Sequence, residues 1–461
     1  MKDVILKVKN RRQSLNMALF CAIATCHFVL SWLVTPVLLF YFIGVLATII
    51  VIAAVNKDRR ESKDTIAAFL VTLTASIILV LANYLNYIKN GVPFIYSDQI
   101  HFYEQAKIVS AQENLTKCIK YVLDNYREYQ SIYILNGILG YTDRLVTGKV
   151  NLLPLLFSVA YFTALIPTFF YHTVKIYLPR SSSFKSSLYL ALATPIIAYS
   201  GYLLRDIHLT LVFSIVLFWV VRKVTLPRII GIIIMFPIVA GLRIVNLFLL
   251  IAMLAIFLFN GNASKIVRYV CIIAFIACSF YFALRISDLY STTVSRLENY
   301  NDRTSAFVDA TSGVGKKLYS LPTGIKEVAI ILNGLISYPF WGHIDLGLDA
   351  TEYLMLTYST ISNIGWFFIV SGLFFFAKPL WDLLSDKKNR LLLHLFILSF
   401  LYIASNVSNM TTRRIMYVYP IIMLTFLIVY HNQSQEKRNK HFLFSVGAIV
   451  ALSFIYILML L

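Results

Sequence analysis

The chain reads as an all-α, polytopic integral membrane protein, and three features of its sequence lead there. Of 461 residues, 59% are hydrophobic and only 14% charged, with a mean hydropathy of +0.74; soluble globular chains do not have this balance. Apolar runs of about 20 residues recur along the sequence, each long enough to cross a bilayer as a helix. The formal charge of +19, from 41 Lys and Arg against 22 Asp and Glu, is spread over short connections between those runs. Basic short loops mark the cytoplasmic side of a membrane protein. The charge is therefore a topology signal, and nucleic acid is not an expected partner.

Taken in order, spans are expected at about 15–34 and 37–55, with a tight turn at Thr35-Pro36 between them. Lys2, Lys7, Lys9, Arg11 and Arg12 precede the first. Without a convincing cleavage site after it, this run reads as an uncleaved helix rather than a signal peptide. The basic loop 57–63 lies inside, and a span at about 65–88 leads out to a first outer segment at about 89–147. That segment is polar and rich in tyrosine, and its apolar later part, Ile132–Leu145, suits the bilayer surface. Further spans are expected at about 149–177, 187–203, 207–221, 229–242, 244–260 and 269–286, with outward tips at Leu204–His208 and Gly241–Arg243. A second outer segment at about 287–355 includes the apolar stretch Val328–Trp341. Spans at about 357–377, 391–405, 415–431 and 442–461 complete about thirteen, N-terminus inside and C-terminus outside.

No Gly/Ser or Pro linker and no fixed-period repeat divides the sequence, so residues 1–461 are expected to form one domain. The inner loops are too short for a nucleotide-binding domain and no GxxxxGK[ST] loop occurs, which argues against direct ATP hydrolysis. Cys21, Cys26, Cys271 and Cys278 fall in apolar runs and Cys118 stands alone, with no metal-binding spacing.

The stretch Tyr96–Lys107, YSDQIHFYEQAK, carries the chemistry that is most legible. Ser97 can cap a helix, which puts Asp98 in the first turn, where free amides and the helix dipole favour a carboxylate. At helical spacing Asp98, His101 and Gln105 share one face, with Phe102 and Ala106 beside it. Such a stripe at the mouth of a bundle could work on a sugar at the bilayer surface. Taken alone, these residues read first as an interfacial helix with a capping acid.

Four arginines, Arg205, Arg243, Arg413 and Arg414, map to outer ends of spans, against the positive-inside bias. Charge at a membrane boundary is expensive unless an anion meets it. The planar, permanently charged guanidinium suits phosphate or pyrophosphate. Any single arginine could snorkel or pair locally, as Arg205 could with Asp206; four together point to an anion site. In the second outer segment, His343 and Asp345 lie near Trp341, an arrangement that can stack on and bond a sugar ring. His27 and His394 stand alone in spans and read as structural, which weighs against an acyltransferase.

The segment Asp98–Ala106 resembles the acidic first-outer-loop motif of GT-C glycosyltransferases, where an aromatic and a small residue follow an aspartate at helical spacing. Tyr177–Ser183, Thr194-Pro195, Tyr199-Ser200 and Leu204-Arg205-Asp206 are similar to that superfamily's middle helices, so the likeness covers roughly residues 65–225. Two departures stand against it: Asp98 follows the third expected span rather than the first, and no soluble C-terminal domain is present. Span number, two large outer segments, the outer arginines and Arg413-Arg414-Ile415-Met416-Tyr417-Val418-Tyr419-Pro420 look more like Wzy-type polysaccharide polymerases.

These resemblances imply a GT-C-like core that builds a bacterial O-antigen or capsule from undecaprenyl-(pyro)phosphate-linked sugars on the outer face of the cytoplasmic membrane. They imply Asp98 as the base, with His101, Gln105, Arg205, Asp206, Arg243, His343, Asp345, Arg413, Arg414 and Tyr417 meeting substrate. Membrane lipid and a chain-length regulator are the implied partners. No cofactor is required; a divalent metal could bind Asp98 with Glu104 or Asp206, although no spacing demands it. Single-sugar transfer from a polyprenyl phosphate stays open. So does a lipid-linked-oligosaccharide flippase, which predicts mid-membrane charge and repeat symmetry.

Overall fold

The computed structural model describes residues 2–91, 97–260, 324–336, 349–406 and 412–460, with a few isolated positions between them. Every regular element among these residues is helical. The helices are α1 (Lys2–Leu33), α2 (Leu38–Val55), α3 (Arg59–Asn90), α4 (Ser97–Ser110), α5 (Leu115–Asn125), α6 (Gln130–Thr147), α7 (Leu152–Val174), α8 (Arg180–Leu192), α9 (Pro195–Tyr199) and α10 (Asp206–Val220). They continue as α11 (Leu226–Arg243), α12 (Leu247–Asn260), α13 (Ile325–Ile336), α14 (Ala350–Phe375), α15 (Ala377–Ser385), α16 (Arg390–Ser405), α17 (Thr412–Ile415), α18 (Tyr419–His431) and α19 (Gln435–Leu460). Eight helical stretches among the described residues are long and apolar enough to cross a membrane. The chain is thus an all-helical, multi-pass membrane protein in its length and composition.

Burial separates a centre from a periphery. The apolar windows of α3 and α7 are 67% and 78% buried, against 17% for α2 and 11% for α19. Hence α3 and α7 form the middle of the bundle, and α2 and α19 present their apolar faces to lipid. Expected spans and observed helices coincide best where the apolar run is continuous, as in α2, α3 and α7. The expected span at 187–203 is broken instead: Thr194 is extended (φ −127°, ψ 162°) and Pro195 begins α9. Proline lacks the amide to continue α8 and disfavours helical backbone in the residue before it. The stretch 226–260 divides at Arg243, in the expected tip Gly241–Arg243, where the backbone is extended (φ −165°, ψ 103°). Val328–Trp341, expected at the bilayer surface, contributes α13. This helix lies against α14, where the Trp366 indole donates to the Leu335 carbonyl at 2.8 Å. The expected span at 269–286 and most of the second outer segment, with His343 and Asp345, lie outside the described residues.

Polar contacts sort the connections into two ends. At one, Glu61 pairs with Lys175, Asp64 with Arg180 at 2.5 Å, and Arg222 donates to the His172 carbonyl at 2.8 Å. These residues belong to the basic loops. At the other end Thr35 donates to Asp143 at 2.5 Å, Lys89 meets Asp349 at 3.0 Å, and Asp98 meets Arg413. There Asp349 caps α14 in a reciprocal box with Glu352. Hydrogen bonds from Thr351 and the Glu352 amide, with Lys89 beside them, hold the Asp349 carboxyl well below the usual carboxylate range.

Candidate functional site

Asp98 lies in the first turn of α4, as the sequence implies, although Ser97 is the first helical residue rather than a preceding cap. The helix is seated by the residues expected beside the polar stripe: Phe102 and Ala106 are buried, while His101 is exposed. Gly137 of α6 allows close approach, since a Cβ there would fall 2.3 Å from Val109 of α4. A second tie runs through buried amides. Gln99 Oε1 accepts from Asn83 Nδ2 of α3 at 3.0 Å and from the Leu203 amide at 2.8 Å, and Asn83 also donates to the Gly201 carbonyl at 2.7 Å. Paired amides of this kind in a low-dielectric interior fix geometry, because leaving either unpaired is costly. They hold the chain entering α10, and so Arg205 and Asp206, against the start of α4.

Around Asp98 the structure gathers most of the expected charges. Arg413 Nη2 lies 2.8 Å from Asp98 Oδ2; the two side chains are 16% and 45% exposed, so the acid stays accessible while the arginine is largely enclosed. Arg413 is also within electrostatic reach of Asp206. Asp206 opens α10 and is buried, and it accepts a hydrogen bond from the Tyr417 hydroxyl. The N-terminal position suits the carboxylate through the helix dipole. Arg243, itself buried, acts electrostatically on Tyr417, Tyr402 and Asp206. The Tyr402 hydroxyl lies 2.8 Å from Asn246 Oδ1 and 3.3 Å from the Arg414 backbone carbonyl, within electrostatic reach of both Arg243 and Arg414.

Arg205 makes no ion pair with Asp206. Its guanidinium lies 3.8 Å from the centre of the Tyr129 ring, a cation–π contact whose strength grows as water is excluded. Tyr129 is the one non-glycine among the described residues with positive φ (62°). A left-handed backbone at such a residue costs on the order of 1–3 kcal/mol and persists only where its surroundings impose it.

Two expectations change. His101 and Gln105 do not reach the charged cluster. His101 Nε2 is 2.7 Å from the Tyr133 hydroxyl, and Gln105 accepts from the Tyr126 hydroxyl, so both brace a wall of tyrosines beside Arg205. Burial pushes the Tyr133 and Tyr126 phenols up, which keeps both neutral. Of the acids offered as metal partners of Asp98, Glu104 pairs with Lys107 at 2.8 Å and Asp206 accepts from Tyr417. Among the described residues no group of three His, Cys, Asp or Glu side chains could hold an ion.

Neither protein-family models nor curated proteins give a match to this chain. The geometry therefore carries the functional argument. It brings four arginines together with two acids, Asp98 accessible and Asp206 enclosed, an excess of positive charge among the described residues. Asn83, Gln99, Asn246, Tyr129 and Tyr402 complete this arrangement, and sequence reasoning did not assign them to it. Asn83 carried a usable signal, since an amide inside an apolar span seeks a specific partner.

Proposed function

We propose that this protein is an integral-membrane glycosyltransferase of the polymerase type. It would join sugars carried on undecaprenyl-(pyro)phosphate into a bacterial surface polysaccharide, on the outer face of the cytoplasmic membrane, from a GT-C-like core. The observation that supports this reading is the gathering, among the described residues, of several arginines around the accessible Asp98 carboxylate at a single end of the bundle. An acceptor hydroxyl attacks the anomeric carbon, the bond from that carbon to the phosphate oxygen breaks, and Asp98 takes the hydroxyl proton. Arg205, Arg243, Arg413 and Arg414 meet the charge that collects on the departing (pyro)phosphate. Electrostatic stabilisation of this kind is often the largest catalytic contribution. Asp206 and Tyr417 position Arg243 and Arg413 rather than contacting the sugar. The lipid donor is already activated, so no nucleotide is needed.

The direct test is transfer by purified protein from a defined undecaprenyl-pyrophosphate oligosaccharide, read as longer lipid-linked products and released undecaprenyl pyrophosphate. Binding of the donor without any product would remove the enzymatic reading.

In this reading the basic end faces the cytoplasm and the arginine cluster faces out. Glu104 and Arg60 are exposed at the two ends. In a cysteine-free background, a membrane-impermeant maleimide is expected to label Glu104→Cys in intact cells and Arg60→Cys only after permeabilisation. The opposite pattern would put the cluster on the wrong face for an outer-leaflet polymerase.

A further inference from the structure

A cleft of about 340 Å³ opens at the basic end, bounded by α8, α14, α18 and the start of α19. Ser182, Lys185, His431 and Arg438 line it with Phe368, Met423 and Phe426. Helix register orders these groups by depth. Arg180 begins α8 and His431 ends α18 at the basic end, so Ser182, Lys185 and His431 form the mouth. Met423 lies eight residues back along α18, about 12 Å deeper at 1.5 Å per residue. The cleft is cationic at its mouth and apolar within.

None of the lining residues is acidic. Of the acids at this end, Glu61 pairs with Lys175, Asp64 with Arg180, and Glu436 with Lys440, while Asp386 accepts from the Lys388 amide. Lys185 and Arg438 have no such partner among the described residues, and Arg438 Nε is buried without a hydrogen bond. The walls are fixed independently of any ligand. A Cβ at Gly372 would fall 2.2 Å from Phe426, so α14 and α18 touch there. His441 Nε2 lies 3.2 Å from Ser371 Oγ and 3.1 Å from Ser445 Oγ, which ties α19 to α14 one turn beyond Arg438.

We propose that this cleft is a binding site for an anionic membrane lipid, its headgroup phosphate at Lys185 and Arg438 and one acyl chain against Phe368, Met423 and Phe426. A free phosphate would use the mouth alone and leave the apolar depth without an occupant. The volume falls in the range of small-ligand sites, about 300–1,000 Å³, and basic pockets between membrane helices suit lipid headgroups. The site lies at the opposite end from the arginine cluster and does not depend on the glycosyltransferase reading.

The test is native mass spectrometry of the purified protein with phosphatidylglycerol, with phosphatidylcholine, and with inorganic phosphate. Retention of phosphatidylglycerol over phosphatidylcholine is expected. It should weaken about tenfold or more in the Lys185→Gln/Arg438→Gln variant and return largely in Arg438→Lys. Lys185 is exposed, so the single Lys185→Gln variant carries the test if the double variant misfolds, and a severalfold loss is expected from it. Unchanged lipid retention in a folded glutamine variant would overturn the proposal. So would inorganic phosphate binding as tightly as the lipid with the same dependence on Lys185.

Discussion

Asp98→Asn is expected to lower transfer by about 10²–10⁴-fold, the usual contribution of a positioned general base, with the protein still accumulating in the membrane. The substitution is nearly isosteric and leaves an amide oxygen for Arg413, so it removes the proton acceptor more than the architecture. Asp98 is the appropriate acid because it is 45% exposed beside its arginine. Asp206, by contrast, is buried and engaged by Tyr417. Kinetics separate the two roles open to Asp98. Loss in kcat with KM for the lipid donor unchanged identifies a group acting in the transition state. A rise in KM at steady kcat would identify a residue that only orients Arg413. Near-normal kcat and KM would move the base elsewhere, with Asp345, outside the described residues, the next acid to test.

How much of this arrangement could be read from the sequence depended on the length scale of the interaction. Continuous apolar runs gave the positions of α2, α3 and α7, because hydrophobic length alone sets a span. Asp98 and the arginines at span ends stood out because charge at a membrane boundary is costly and therefore informative. Periodicity cannot show pairings between residues distant in sequence. Asp98 meets Arg413 across 315 positions and Asp206 meets Tyr417 across 211. The same limit misdirected His101 and Gln105. They share a helical face with Asp98, but the tyrosines of α6 and the turn before it lie closer to them than the charges do. The break at Thr194 was hidden for a different reason, whereas the one at Arg243 fell at the expected tip Gly241–Arg243. Hydropathy averages over the few backbone torsions that interrupt a helix, although Pro195 was visible as a cause at Thr194.

Lysine in place of Arg205, Arg243 or Arg413 is expected to separate phosphate recognition from simple anchoring at the membrane surface. Lysine keeps the charge and snorkels as well as arginine, but it has neither the planar fork nor the flat face. At Arg205 the flat face matters most, since the guanidinium lies 3.8 Å from the centre of the Tyr129 ring and is aimed by that contact. At Arg413 the planar fork sets Nη2 2.8 Å from Asp98, a geometry that a lysine ammonium does not reproduce. Arg243 is buried among Tyr402, Tyr417 and Asp206, where a lysine would reach fewer partners. Loss of one such donor typically lowers turnover by about 10²–10³-fold. That loss is expected for Arg205→Lys and for at least one of the other two, with expression unchanged. Arg414 is left out because its neighbour can compensate. Full activity in all three variants, measured with purified enzyme on a defined lipid-linked oligosaccharide, would refute the anion site. The cluster would then be a structural anchor, and the glycosyltransferase reading would rest on Asp98 alone.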